Sequence, residues 1–140
     1  MVKIKVIAVG KTKEDWIKEG IQHYLKLLKR YAEVNLVEIK EEKVTSSFST
    51  KSALEKEAGR ILDRLKQTDW CIALDVKGEY RSSEDFANFF EINLNQGYKE
   101  FTFIIGGPLG ISPKVLESCP VRLSLSPMTF THEMSRVILL

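Results

Sequence analysis

The amino-acid sequence predicts an α/β fold, a single domain with a five-stranded, mainly parallel sheet flanked by helices. Five short apolar segments alternate along the 140 residues with segments of helical periodicity, which is the pattern of strand–helix–strand units. Hydrophobic residues make up 44% of the chain and charged residues 29%, as in a globular protein with a real core. No linker, repeat or low-complexity segment divides the sequence. One domain over residues 1–140 is therefore expected.

In the first half of the chain the predicted order is strand, helix, strand, loop, helix. Lys3–Val9 alternates and then becomes continuously apolar, like a strand entering a sheet covered on both faces. Lys13–Tyr31 is predicted helical, Val34–Ile39 a strand, Lys40–Thr50 a mobile surface loop, and Lys51–Lys66 a helix. The residues predicted to face inward are Trp16, Ile17, Ile21, Tyr24, Leu25 and Leu28 on the first helix, and Leu54, Ala58, Ile61, Leu62 and Leu65 on the second.

The second half continues the alternation. Trp70–Val76 is strongly apolar and is predicted to be the central strand, ending in a turn at Asp75–Gly78. Ser82 is a cap residue for a helix that runs to about Asn95. The remaining predicted elements are the strand Phe101–Ile105, a short helix opened by Ser112 and Pro113, the strand Val121–Leu125 and the helix Met134–Leu140.

Charge is distributed unevenly along the chain. Residues 1–67 carry fifteen Lys and Arg against ten Asp and Glu, whereas residues 68–140 carry six against nine. A basic front half favours a polyanionic partner, although the solvated faces of two amphipathic helices explain it equally well.

The apolar segments and the cysteines indicate the cellular compartment. No apolar run approaches 18 residues and no signal peptide opens the chain, so a cytoplasmic protein without a membrane span is expected. Cys71 and Cys119 lie in or beside apolar runs and are predicted to be buried reduced thiols rather than a disulfide. No cluster of Cys and His has metal-ligand spacing, so no metal is expected.

Gly10-Lys11-Thr12 is like the end of a phosphate-binding loop. That motif also needs a glycine five positions before Gly10, where this chain has Lys5. A nucleotide-phosphate site at this turn is therefore kept only as an alternative.

Three predicted strand ends, Leu74–Gly78, Gly106–Gly110 and Ser124–Phe130, have the layout of a ligand site at the carboxyl ends of parallel strands. The glycines allow a ligand to approach the backbone, or they serve simple tight turns. A flat apolar slot that suits an adenine ring would be formed by Leu74, Leu109, Ile111, Leu125, Met128 and Phe130.

Four motifs and the opening segment Val6–Lys11 together resemble the ribosomal large-subunit RNA pseudouridine methyltransferases of the SPOUT class, over the whole chain. The motifs are Leu74-Asp75-x-x-Gly78; Ile105-Gly106-Gly107-x-x-Gly110-Ile111-Ser112; Leu123-Ser124-Leu125-Ser126-x-Met128-Thr129-Phe130-x-His132; and Arg136-Val137.

The resemblance implies a C-terminal trefoil knot, an exception to the rule against knotted chains. It implies a homodimer that methylates the N3 nitrogen of a pseudouridine in ribosomal RNA of the assembled ribosome, with an RNA site built by both subunits. It also implies S-adenosylmethionine in a bent shape. By position, the cofactor contacts fall on Leu74, Gly106, Gly107, Gly110, Leu125, Ser126, Pro127, Met128, Thr129 and Phe130.

Methyl transfer from a sulfonium needs the nucleophile aligned about 3 Å from the methyl carbon. The imide nitrogen must also lose or share its proton. Thr129, His132 and Arg136 follow the cofactor loop and are the candidates to approach the RNA. His132 is equally explained as a helix-start residue, and Arg136 as part of a dimer-interface ion pair.

The chain departs from the family pattern at several positions. Pro127 stands where the family usually has a basic residue, Thr131 where it has proline, and Leu109 where it often has an acidic or amide residue. The sequence ends at Leu140, before the tail that contributes to the family's active site, so cofactor binding with poor methyl transfer is expected. A non-catalytic RNA- or ribosome-binding homologue is the alternative function.

Overall fold

A computed structural model describes residues 1–65 and 70–140 and confirms the predicted α/β architecture. All strand pairs of its five-stranded sheet are parallel. The strands are β1 (Val2–Val9), β2 (Ala32–Ile39), β3 (Trp70–Tyr80), β4 (Glu100–Ile105) and β5 (Val121–Ser124). The helices are α1 (Asp15–Leu28), α2 (Thr50–Leu62), α3 (Ser83–Asn95), α4 (Pro113–Glu117) and α5 (His132–Leu139).

Both faces of the sheet are covered, which explains why the strand sequences are continuously apolar. Successive residues of a strand point to opposite faces, so Ile7 joins one core cluster with α2 and α4 residues such as Ala58 and Val115. Val6 joins the other cluster with Phe89 of α3 and Phe103 of β4.

The central strand is β4 rather than β3, because the strand order is β2-β1-β4-β3-β5. The prediction for Trp70–Val76 was wrong on this point. Residues 101–105 are all buried as well, so apolar character alone could not rank the two strands. Their order depends on the path of the helical crossovers.

The predicted turn at Asp75–Gly78 is also wrong, since β3 continues to Tyr80 with an irregular register against β5 between Leu74 and Glu79. Gly78 permits this path. A Cβ atom there would lie 2.6 Å from the backbone carbonyl carbon and oxygen of Arg122. The glycine is needed because two backbones approach closely. The trefoil knot implied by the resemblance stays a prediction.

The helices begin and end close to the predicted positions, with differences at their surfaces. Ile17 and Ile21 of α1 are buried, but Trp16 and Tyr24 were wrongly predicted to face inward and are 57% and 40% exposed. Helix α2 ends at Leu62, and the predicted end at Lys66 lies outside the described residues.

Cys71 and Cys119 are paired as a disulfide, which contradicts the expectation of reduced thiols. Their Cα atoms are 4.8 Å apart in the core, on β3 and just after α4. The two positions are 48 residues apart in the chain, so no local pattern indicates that the fold brings them together.

Candidate functional site

A cleft of about 280 Å³ lies at the carboxyl ends of β3, β4 and β5, as the strand-end argument predicts. Three segments form its walls: the end of β3, the loop after β4, and the loop between β5 and α5 together with the start of α5. The lining residues are Leu74, Asp75, Val76, Ile105, Gly106, Gly107, Gly110, Ile111, Leu116, Leu123, Ser124, Leu125, Ser126, Met128, Thr129, Phe130, His132 and Ser135.

The loop after β4 is a tight glycine turn. The amide of Gly110 donates a hydrogen bond to the carbonyl oxygen of Gly107 at 2.9 Å. Gly110 has a φ of +83°, a conformation that residues with a Cβ rarely adopt. Ser112 then caps α4 by accepting a hydrogen bond from the amide of Lys114 at 3.2 Å. The loop is thus fixed at both ends and presents backbone to the cleft.

Hydroxyl groups hold the loop between β5 and α5 in shape. Ser124 Oγ donates to the carbonyl oxygen of Ser126 at 3.0 Å, and Ser126 Oγ accepts from the amide of Met128 at 3.0 Å. Thr131 caps α5 by accepting from the amide of Met134 at 3.1 Å. Thr131 therefore has a structural role as a helix cap, at a position where the related family has proline.

The structure brings nine of the ten predicted cofactor-contact residues into one cleft. Pro127 does not line it, and neither does Leu109, which was expected in the apolar slot. Of the candidates to approach the RNA, Thr129 and His132 line the cleft and Arg136 does not. Sequence reasoning missed Ser135, although its position one helical turn after His132 places both side chains on the same face of α5.

The cleft walls are mostly apolar and carry little charge. Among the residues that the structure describes, Asp75 and His132 are the ionisable groups that line it, and no lysine or arginine does. Asp75 Oδ1 accepts a hydrogen bond from the amide of Lys77 at 3.0 Å. Such a site suits an apolar ring system and a cationic group better than a polyphosphate.

Arg136 is fully buried and holds α5 against the ends of β1 and β2. Its guanidinium donates to the carbonyl oxygens of Val9 and Gly10 at 3.0 and 2.8 Å, to Thr12 Oγ1 at 2.6 Å and to Glu38 Oε2 at 3.0 Å. Burial lowers the pKa of Arg136, whereas Glu38 acts in the opposite direction. The predicted approach of Arg136 to RNA therefore does not fit this geometry, because its side chain is enclosed by its own chain.

A second side chain of α5 reinforces this docking. Glu133 Oε1 accepts hydrogen bonds from the amides of Lys13 and Glu14 at 2.6 and 3.2 Å, where α1 begins. Amide groups at a helix start lack intrahelical partners, so this carboxylate caps α1 from another helix. The helix that carries His132 is thus anchored on the first residues after β1.

The Gly10 turn has a structural use that removes the phosphate alternative. Gly10 has a φ of +92°, and Thr12 is engaged by Glu38 through its amide and by Arg136 through its hydroxyl. A phosphate loop would need such groups to face a ligand.

Residues 1–65 and 70–140 lack two features, a metal-binding cluster and a membrane-spanning helix. No grouping of three or more His, Cys, Asp or Glu side chains there could hold a metal ion. The same ranges contain no helix with the length and apolar character needed to cross a bilayer.

Comparisons with known proteins bear on the whole chain. The family model described as "Predicted SPOUT methyltransferase" matches residues 2–140. A curated relative from Halothermothrix orenii, named ribosomal RNA large subunit methyltransferase H, is 46% identical over 142 residues, covering 99% of this chain and 89% of the relative. Ribosomal RNA large subunit methyltransferase H 2 of Caldanaerobacter subterraneus subsp. tengcongensis is 43% identical, with coverage of 99% and 95%.

A third relative, ribosomal RNA large subunit methyltransferase H 1 of Thermoanaerobacter pseudethanolicus, is 40% identical and aligns over 99% of this chain and 92% of its own length. A methyltransferase family implies a methyl donor, and the cleft is where the fold offers a site for one. The chain belongs to the SPOUT methyltransferase family.

Proposed function

We propose that the protein methylates the N3 nitrogen of a pseudouridine in large-subunit ribosomal RNA, in the assembled ribosome, with S-adenosylmethionine as the methyl donor. The observation that carries the proposal is the cleft formed by the three carboxyl-end loops, in a chain 46% identical to a curated ribosomal RNA methyltransferase.

The residues of the cleft fit S-adenosylmethionine. Apolar side chains such as Leu74, Ile111 and Leu125 offer flat surfaces for an adenine ring. Asp75 is the carboxylate at the cleft, and the absence of lysine and arginine from the described lining residues favours a sulfonium cation over a nucleotide polyphosphate. When bound, the cofactor supplies the methyl group that is transferred.

The residues of the chain itself align the target base and exclude water. Thr129 and His132 line the cleft and are the proposed groups that order the pseudouridine and share its N3 proton. Anchoring of α5 through Arg136 and Glu133 keeps His132 in a fixed position relative to the cofactor loop. Positioning of this kind is what an in-line displacement requires.

The proposed active form is a homodimer, with an RNA site to which both subunits contribute. Helix α1 exposes the large apolar side chains of Trp16 and Leu27, at 57% and 53%, and Tyr31, just after the helix, is 69% exposed. An apolar surface of that kind is typical of an interface.

The test is methyl transfer from radiolabelled S-adenosylmethionine to ribosomes that lack the modification, with nucleoside analysis of the labelled RNA. We expect label in large-subunit RNA as N3-methylpseudouridine. His132→Ala and Thr129→Ala should lower the single-turnover rate, by about 10²–10⁴-fold for a residue that shares the imide proton. Calorimetry should show that His132→Ala still binds the cofactor.

The same experiment tests the alternative, a non-catalytic ribosome-binding homologue. Cofactor binding and ribosome binding without any label in the RNA would support that alternative and contradict the proposed reaction.

A further inference from the structure

We propose that a basic recess on the segment between β2 and α2 binds the phosphate backbone of the substrate RNA beside the cleft. This inference rests on the proposed function, since it assigns the RNA of that reaction to a surface of the protein. The recess has a volume of about 390 Å³ and is lined by Lys40, Glu41, Glu42, Lys43, Thr45, Phe48 and Lys56.

The recess is positively charged. Glu42 forms an ion pair with Arg60, which offsets its charge. No salt bridge engages the ammonium groups of Lys40, Lys43 or Lys56 within the described part of the chain, and the Lys56 ammonium lies 5.2 Å from the centre of the Phe48 ring. Three lysines and two glutamates line the recess, and two oppositely charged groups lie beside it, Arg60 in its pair with Glu42 and the buried Glu57, so the net charge is positive.

Hydrogen bonds connect the backbone of the recess to α2, within the surface loop predicted for Lys40–Thr50. Arg60 Nη1 donates to the carbonyl oxygen of Lys40 at 2.9 Å, and Glu57 Oε2 accepts from the amide of Glu42 at 2.8 Å. Thr45 and Phe48 exchange two backbone hydrogen bonds at 3.0 and 3.2 Å. A surface ordered before binding loses less entropy when a partner docks.

The recess lies at the same end of the sheet as the cleft. Strand β2 is two positions from β4, so its end is about 10 Å from the glycine loop at a spacing of about 4.8 Å per strand. Direct contacts also connect the two places. His132 lines the cleft, Arg136 lies one helical turn further along α5 and bonds Glu38 at 3.0 Å, and Lys40 follows two residues later.

The exposed lysines after β1 extend the same charge toward the cleft. Lys11 and Lys13 lie between the two places in the strand order, and their ammonium groups form no salt bridge with any described residue. Of the acids nearby, Glu38 and Glu133 are engaged by Arg136 and by backbone amides, and Glu41 places its carboxylate beside Gly10. Ammonium groups act as point charges and lack the planar, bidentate donors of a guanidinium. A series of them therefore suits the repeating phosphates of a nucleic-acid backbone better than one small anion.

The experiment compares two triple variants with the same change of charge. The recess variant carries Lys40→Glu, Lys43→Glu and Lys56→Glu. The control carries Lys3→Glu, Arg64→Glu and Lys99→Glu, which are exposed residues at the opposite end of the sheet and away from the proposed dimer face. Binding to ribosomes is measured between 50 and 200 mM salt, and a recess variant with three Lys→Gln changes separates lost contacts from added repulsion. Thermal unfolding checks that all variants are folded.

We expect the recess variants to raise the Kd for ribosomes about tenfold or more and the control to change it less than threefold. The slope of log K against log salt is negative, and each lost phosphate contact should reduce its magnitude by about 0.7–0.9. The affinity for S-adenosylmethionine should stay within twofold, and methyl transfer should show a raised KM for ribosomes with an unchanged kcat.

Three results would overturn the proposal: normal ribosome binding by the recess variants, equal weakening by the recess and control variants, or weaker binding with an unchanged salt slope, which would indicate contact with a ribosomal protein. The outcomes distinguish a failure of this surface proposal from a failure of the proposed function. If the wild-type protein methylates ribosomes while the recess variant binds them normally, the surface alone is wrong. If lysine-dependent binding is seen without methylation, the reaction alone is wrong.

Discussion

Gly106 has no room for a side chain, because its own loop closes over it. A Cβ atom at this position would lie 2.7 Å from the carbonyl oxygen of Gly110 and 2.8 Å from Ile111 Cγ1. We expect Gly106→Ala to displace the turn, to lower the free energy of unfolding by about 1–3 kcal/mol, and to weaken cofactor binding. Urea denaturation and calorimetry with S-adenosylmethionine measure the two effects.

Gly59→Ala is the matched control. Gly59 lies inside α2, a Cβ there meets no atom within 4 Å, and the position is remote from the cleft. Alanine in a helix interior should raise the free energy of unfolding by about 0.5–1 kcal/mol and leave cofactor affinity unchanged. A Gly106→Ala protein as stable as the wild type would show that the turn can close in another way.

Single residues also show where sequence reasoning is insufficient. The glycine turn was predictable as a site, but the sequence left open whether its glycines serve ligand approach or a tight turn. Arg136 carries no sequence signal of burial, since its partner Thr12 is 124 positions away. Only the docking of α5 beside β1 encloses the guanidinium, so its role required the tertiary structure.

At the scale of elements, the docking of α5 on α1 depends on one carboxylate. Burial acts to raise the pKa of Glu133, but the amides of Glu14 and Lys13 and the nearby positive charges outweigh it and hold the pKa below its ordinary value. The ionised form is therefore favoured in the folded protein. Its stabilising effect is present above the unfolded pKa and is lost as pH falls through the folded value.

We expect Glu133→Gln to lower the free energy of unfolding by about 1 kcal/mol at neutral pH, as loss of a helix cap does. The difference from the wild type should shrink as the solution is acidified below the ordinary glutamate pKa. Denaturant unfolding at several pH values measures it. Glu91→Gln, on the exposed face of α3, is the control and should show a small difference from the wild type at neutral pH. A constant difference for Glu133→Gln would contradict the assigned role.

Whole elements were more predictable than their ends. Periodicity and apolar runs located the strands and the helices α1 and α2, since both reflect burial directly, whereas cap residues located α3 and α4. The extension of β3 to Tyr80 was missed because Asp75–Gly78 has the composition of a turn, whereas its glycine serves a close approach to Arg122. Composition could not distinguish these two uses of glycine.

At the scale of the molecule, the parallel sheet and the position of the cleft followed from the alternation of strands and helices. The strand order and the disulfide between Cys71 and Cys119 did not, because both depend on how distant segments meet. The same applies to the apolar residues at the end of the chain, because their burial also depends on distant segments. Val137 packs on Gly20 and Leu139 joins the core, so Ile138, at 42% exposed, is the large side chain there that faces outward.

The exposed face of α1 and α5 predicts a dimer that a single charge can break. Trp16 is 57% exposed on α1, and burial of a side chain of that size in an interface would contribute more than the surrounding polar contacts. We expect the wild-type protein to have the mass of two chains in light scattering at micromolar concentration. Trp16→Glu and Ile138→Glu should each give the mass of one chain, because a carboxylate buried without a partner strongly opposes association.

Ile92→Glu, at a residue of α3 that is 56% exposed, is the control and should remain dimeric. A wild-type mass of one chain, or a dimer that survives Trp16→Glu and Ile138→Glu but not Ile92→Glu, would show that this face is not the interface.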